Sequence, residues 1–366
     1  MVADFLKKKI VPFEGLTFDD VLLLPSYADF KRKEVDLTSY LHPQIKLTLP
    51  VISSPMDTVT EEKMAISMAL AGGLGIIHRN LTPEVQAKMV ANVKQKKLIV
   101  GAAVGPGEDL EIRLKYLAKA NVDLICVDSG HGHTKFIIDA TKYIRRNFPK
   151  MIVMSGNIAT YDGATALIKA GAHILRVGMG PGSICTTRVI TGMGVPQIAA
   201  IAGAVQAAKN TKVTVVADGG IRQMGDMAKA FAFGAQAVML GSLLARYEES
   251  PGKTVTIKGK KYHEYRGMGS VGAMKKGGAE RYGQSKKTEE KKLIAEGVEG
   301  LVEYRGKVED FLFQIQGSLR SSFYYLGSKN MQDFYRNSKC VKISQASLME
   351  SHPHSVVISR PGNNYL

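Results

Sequence analysis

This chain lacks long apolar runs and is short of cysteine. No run approaches the roughly 18 residues needed to cross a bilayer as a helix, so no membrane span is expected. The N-terminus, MVADFLKKKI, has neither a signal-peptide core nor a cleavage site. Three cysteines, Cys126, Cys185 and Cys340, are too few and too scattered for a disulfide framework. These absences predict a cytoplasmic protein with reduced thiols. Acidic residues are also in deficit, 33 against 49 Lys and Arg, for a formal charge of +16. Lysines gather at Lys7 to Lys9, Lys94 to Lys97 and Lys275 through Lys292, but no aromatics interleave them in the stacking pattern of single-strand binders. A solvated surface that also steers phosphorylated substrates accounts for the charge, and no specific nucleic-acid partner is expected.

What remains is ordinary globular material. The 366 residues, 45% hydrophobic and 22% charged, can bury a large core as one large domain or two smaller ones. The first 45 residues read as an arm, with an extended apolar run from Leu16 to Pro25. Short apolar runs then alternate with helical spacing. Strands are predicted over 50–54, 74–77, 99–104, 122–127, 151–155, 174–177, 213–217 and 237–240. Helices are predicted over 61–70, 83–95, 110–120, 136–146, 161–170, 196–209 and 224–233. Thr82 and Pro83 form an N-cap and first-turn pair. Eight such units predict an α/β fold, a closed (β/α)8 (TIM) barrel. A doubly wound open sheet shares this periodicity. After Leu244 the repeat breaks into a polar, Gly- and Lys-rich excursion, 248–305, with weak periodicity. A helix over 308–325 closes the eighth unit, and the tail over 339–366 reads as irregular.

The loop GMGPGSICTTR, Gly178 to Arg188, is the chemical centre of the pattern. Cys185 on a glycine-rich loop is a candidate nucleophile, because the thiolate is intrinsically reactive; a Gly-rich connection with a small buried cysteine fits the same residues. In a barrel, chemistry sits on the loops after the strands. Ser53-Ser54-Pro55-Met56-Asp57, Asp128-Ser129-Gly130-His131, Ser155-Gly156-Asn157, Asp218-Gly219-Gly220 and Gly241-Ser242 all fall there. Glycines and serines after the last strands, with Ser183, suit a phosphate, and Asp218 suits ribose hydroxyls. Pro251-Gly252-Lys253-Thr254 fails as a P-loop, because Tyr247 stands where its first glycine belongs. Cys126, Asp128, His131 and His133 suit loop and ligand-contact roles better than a transition-metal site.

Several of these segments together resemble the inosine 5′-monophosphate (IMP) dehydrogenase family of bacterial type. They are LTFDDVLL at Leu16 to Leu23, SSPMDTVTE at Ser53 to Glu61, GPGSICTTR at Gly180 to Arg188, ADGGI at Ala217 to Ile221, YRGMGS at Tyr265 to Ser270 and ESHPH at Glu350 to His354. The related guanosine monophosphate (GMP) reductases share the cysteine loop and phosphate site. The Arg281-Tyr282 pair in GGAERYGQ resembles the mobile flap of the dehydrogenases, which the reductases lack. The pair of cystathionine-synthase-type (CBS) modules that the family usually inserts is missing near 95–98, leaving a single catalytic domain over 1–366.

The resemblance implies NAD-dependent oxidation of IMP to xanthosine monophosphate (XMP), the committed step of guanine nucleotide synthesis. It would proceed through a covalent Cys185 thioimidate and flap-assisted hydrolysis. The alternative is NADPH-dependent deamination of GMP. It further implies that Cys185, Thr187, Arg281 and Tyr282 are catalytic, and that Ser54, Met56, Ser183, Asp218, Gly220, Gly241, Ser242, Tyr265, Met268, Gly269 and Glu296 bind substrate. Asp128, Ser129, Asn157 and Gly178 would face the cofactor. A monovalent cation, K+, would be held by carbonyls of Gly180, Gly182 and Cys185 with Glu350, Ser351 and His352 of a neighbouring subunit, in a homotetramer.

Overall fold

Parallel strands buried on both faces read as unbroken apolar runs, and eight such runs form the centre of the computed structural model. The structure describes residues 2–285, 288–360, 362, 364 and 365. The strands are β1 (Val51–Ser53), β2 (Leu74–Ile77), β3 (Gly101–Val104), β4 (Leu124–Asp128), β5 (Ile152–Ile158), β6 (Ile174–Val177), β7 (Thr214–Asp218) and β8 (Ala237–Leu240). All pair in parallel with their sequence neighbours, and β8 returns to β1 through Val238 opposite Val51 and Leu240 opposite Ser53. That closure removes the open-sheet alternative.

Helices follow the strands: α1 (Glu62–Leu70), α2 (Pro83–Gln95), α3 (Leu110–Lys119), α4 (Lys135–Asn147), α5 (Tyr161–Lys169), α6 (Gln197–Ala208), α7 (Met224–Ala232) and α8 (Val308–Tyr325). Their starts are specified locally. Thr82, Thr134 and Thr160 each accept a hydrogen bond from the backbone N–H three residues on, in the N-cap arrangement, with Pro83 following Thr82. From α2 the chain enters β3 through residues 96–100 alone.

Two apolar layers result. The outer one lies between strands and helices, with Val51, Val127, Leu175 and Val215 against Leu114, Ile144, Leu167 and Ile201. The inner one fills the barrel with Ile52, Ile76, Cys126, Met154, Ile174 and Met239. A hairpin of Ser39–His42 and Ile45–Leu47 closes its floor with Leu41, Ile45 and Leu47. Cys126 is therefore a core residue, and burial pushes its thiol pKa up to about 12. Among the described residues no helix is long and apolar enough to cross a membrane.

Three segments differ from the sequence-based expectation. The excursion holds an antiparallel sheet of β9 (Thr254–Ile257), β10 (Lys260–Arg266) and β11 (Glu299–Glu303). The tail is not wholly irregular. Cys340–Lys342 pairs with Val21–Leu23 of the arm, and Gln345–Glu350 is helical. Only a partner some three hundred residues away completes that strand, so local pattern could not announce it. Val2–Lys9 forms a further helix, and Lys286 and Lys287 of the Lys275–Lys292 run lie outside the described residues.

Candidate active site

The cleft at the C-terminal rim of the barrel is lined by most of the residues singled out above. The cysteine loop is shaped first by Gly178. Its φ is +151°, and a Cβ there would lie 2.0 Å from the Asp218 carbonyl oxygen, so only glycine fits. Arg188 then gathers the loop, donating from Nε to Met179 O (3.2 Å) and from Nη2 to Val195 O (2.6 Å). The returning limb of the excursion fixes its far side: Thr186 N donates to Glu296 O (3.0 Å) and Val298 N to Ile184 O (3.1 Å).

This pinning creates a short polar chain at Cys185. The Cys185 thiol donates to Thr187 Oγ1 at 3.2 Å, and Thr187 Oγ1 donates to Glu296 Oε2 at 2.8 Å. A proton leaving sulfur has a hydroxyl and then a carboxylate within reach. Glu296, expected against the substrate base, thus stands at the end of this hydrogen-bonded chain.

Beneath the cleft lies a residue the sequence reading passed over. Arg176 sits inside the apolar run ILRV and is 2% exposed. Its Nε donates to Asp218 Oδ2 at 2.8 Å, Nη1 pairs with Asp128, and Nη2 reaches Ser54 Oγ at 3.5 Å. A guanidinium in the middle of an apolar strand was the available signal, since burying that charge requires counter-charges. Asn157 joins the group by donating to Asp218 Oδ2 (2.7 Å) and Gly178 O (2.9 Å), which puts it beside the ribose candidate as well as the expected cofactor side.

Of the residues expected to hold a phosphate, Ser54, Ser183, Gly220, Gly241 and Ser242 all line the cleft. Tyr265 is buried beneath them, with Oη 3.9 Å from Met56 Sδ. Burial raises its pKa, against a hydrogen bond with Ser183 that lowers it, so it stays a neutral phenol. Met268 lines the cleft too, while Gly269 backs Tyr282.

The flap is seated in the cleft. Arg281 forms a buried ion pair with Asp128, Gly130 N donates to Arg281 O (3.1 Å), and a Cβ on Gly269 would lie 2.7 Å from Tyr282 Cζ. Asp128 is fully buried and meets three guanidiniums, of Arg79, Arg176 and Arg281. Burial works to raise its pKa, but the arginines outweigh that and hold it below the ordinary value. Burial works to lower that of Arg281, and Asp128 reverses it, so Arg281 is held protonated. Burial raises the Tyr282 pKa. Ser129, tied through Oγ to Gly156 O at 2.8 Å, is buried beside Asp128. Of the positions expected to face a cofactor, Asp128 is thus paired with the flap.

Gly180, Gly182 and Cys185 lie together on the cysteine loop, where Gly182 O accepts from Cys185 N at 3.1 Å. Glu350, Ser351 and His352 are exposed on the tail, and the hydrogen bonds of Ser351 and His352 are made within it. One chain does not bring the two halves of that set together.

A closed parallel barrel with a glycine-rich cysteine loop and an excursion seated in the cleft at its C-terminal rim defines a (β/α)8-barrel enzyme. The chain belongs to the family described as the IMP dehydrogenase / GMP reductase domain, which matches residues 15–354. It is 43% identical to an inosine-5′-monophosphate dehydrogenase of Borreliella burgdorferi, over 94% of this chain and 97% of that protein. It is 37% identical to the enzyme of that name from Aquifex aeolicus, over 98% and 99%. For the one from Staphylococcus saprophyticus the figures are 36%, 96% and 98%. The last two alignments run over 489 and 479 positions, longer than the chain itself, so those relatives carry sequence that has no counterpart here.

Proposed function

We propose that this protein oxidises IMP to XMP with NAD, in guanine nucleotide synthesis. The observation that carries the reading is the coexistence, in one cleft, of the Cys185–Thr187–Glu296 chain and the seated Arg281-Tyr282 flap. The first suits covalent attack and the second suits a hydrolytic half-reaction, which a reductase does not perform.

The phosphate of IMP would rest on Ser54, Ser183, Gly220, Gly241 and Ser242, with Tyr265 beneath them, and its ribose on Asp218. Arg176 and Asn157 hold that carboxylate in place. Met268 and Gly269 would border the base. Cys185 loses its proton along Thr187 to Glu296, and its sulfur adds to C2. The hydrogen at C2 leaves with its electron pair; NAD, when bound, supplies the acceptor for that hydride. What remains is a thioimidate between Cys185 and the purine. Splitting the oxidation in this way is the usual gain of covalent catalysis.

Cofactor and flap then exclude one another, because Asp128 serves both. After NADH leaves, Arg281 and Tyr282 enter and cover the adduct. Glu296 has by then released the thiol proton to solvent. Water adds to C2 as its proton passes through Thr187 to Glu296, and as the C–S bond breaks to release XMP that proton returns to the Cys185 sulfur. Arg281, held protonated by Asp128, orients the water rather than taking its proton.

The carbonyls of Gly180, Gly182 and Cys185 are hard oxygen donors of the kind that hold K+. They fit half of a cation site, and Glu350, Ser351 and His352 of a neighbouring subunit would complete it in a homotetramer. In this reading the whole chain is one catalytic domain of the cytoplasm, without CBS modules. Mixing protein with IMP, NAD and potassium salt tests the activity. NADH formation with XMP as product is expected; consumption of NADPH with GMP and release of ammonia would replace this reading with the reductase.

A further inference from the structure

A second pair of charges joins flap and barrel, and the mechanism above does not use it. Arg79 follows β2 and is 9% exposed. Its Nε lies 3.8 Å from Asp128 Oδ2, and its Nη1 lies 3.8 Å from Glu280 Oε2, on the flap residue just before Arg281. The loop after β3 is cut back to admit both groups: a Cβ on Gly105 would lie 2.4 Å from Arg79 Nη1, and one on Gly107 would lie 2.8 Å from Glu280 Oε2.

The charge count explains why the pair matters. With the flap seated, the cluster holds guanidiniums of Arg79, Arg176 and Arg281 and carboxylates of Asp128, Asp218 and Glu280. The flap contributes one of each sign. Arg281 entering alone would leave an unbalanced cation in a site largely shielded from water, and burying unpaired charge is costly. Arg79 would also repel it.

We propose that Arg79 and Glu280 are positioning residues for flap closure: Glu280 settles on Arg79 as the counter-charge that lets Arg281 reach Asp128 as half of a neutral pair. This rests on the IMP-oxidation reading, because hydrolysis of the adduct is the step that needs the seated flap.

The test uses Glu280→Gln, Arg79→Met and the double variant, followed by rapid mixing with IMP and NAD. Glu280→Gln should keep the NADH burst and lose about fivefold in steady-state turnover, the scale of one partly exposed ion pair. Arg79→Met, which strands Glu280, should behave similarly, and unchanged KM for IMP would separate this from substrate binding. The double variant removes one charge of each sign and should recover to within about twofold of the parent. Parent-like turnover in Glu280→Gln overturns the proposal, as does a double variant no faster than the slower single one. Hydrogen exchange over residues 277–285 in the ligand-free protein reads seating without turnover: faster in Glu280→Gln, restored in the double variant. A parent enzyme that forms no NADH would sink the IMP reading, and the exchange result would still decide whether the pair seats the flap.

Discussion

Thr187 Oγ1 stands 2.8 Å from Glu296 Oε2, and these two residues come from elements more than a hundred positions apart in the chain. Glu296 lies on the returning limb of the excursion, which also hydrogen-bonds the backbone of the cysteine loop. The carboxylate that ends the Cys185–Thr187 chain and the backbone that shapes the cysteine loop therefore come from the same limb, through separate contacts.

That arrangement gives the first prediction. Thr187→Val and Glu296→Gln each break the path from sulfur and from water. Turnover should fall about a hundredfold, the usual scale of acid–base assistance. In Glu296→Gln the backbone contacts to the loop survive, so IMP binding measured by calorimetry should change little. Loss of IMP binding equal to the loss of turnover would assign Glu296 to substrate recognition alone.

Much of the barrel is legible in sequence because of where its strands lie. Runs such as Leu124–Asp128 and Ile174–Val177 are buried on both faces, so every residue is under the same pressure to be apolar. The sheet of the excursion is the opposite case. Most of β9 and β11 is solvent-exposed, and neither face of those strands is constrained enough to alternate. The site divides in the same way. Cys185, Asp218 and the rim glycines announce themselves by type and position, whereas Arg176 looks like an interruption of a strand until Asp128 and Asp218 are seen beside it. Arg79 and Glu280 carry no local signal at all, since their meaning is the proximity of a flap to a loop two hundred residues earlier.

Asp128 sets the second prediction. Its folded pKa lies below the ordinary 3.8, so its contribution to stability is present in full above 3.8 and is lost as pH falls through the lower folded value. Flap seating, followed by hydrogen exchange over 277–285, should be unaffected by this group at neutral and mildly acidic pH. Asp128→Asn removes the shared counter-charge of three guanidiniums and should cost about 3–5 kcal/mol in chemical denaturation, as broken buried ion pairs do. Adding Arg281→Ala to that variant should return part of the loss, because one of the stranded cations is then gone.

Gly269 offers a steric route to the flap. An added Cβ would lie 2.7 Å from Tyr282 Cζ and 3.0 Å from its Oη, so Gly269→Ala should push the aromatic ring out of the cleft. The NADH burst should survive, turnover should drop about tenfold, roughly the cost of overpacking one contact, and exchange over the flap should quicken. A variant with parental exchange would mean that the ring shifts within its seat and that the flap does not depend on this contact.

Arg281→Ala separates the two half-reactions most directly. The substitution leaves Cys185, Thr187 and Glu296 untouched, so sulfur can still add to C2 and hydride can still leave. What is lost is the group that sits on Asp128 and orients water. One equivalent of NADH per active site should appear at close to the parental rate, followed by turnover slowed about a hundredfold, within the range of a lost positioning group. Intact-protein mass spectrometry during the slow phase should then find most of the enzyme heavier by the substrate adduct, and peptide mapping should place that mass on Cys185. Were steady-state activity to stay full, water activation would belong to Thr187 and Glu296 alone, and the flap would act only as a cover.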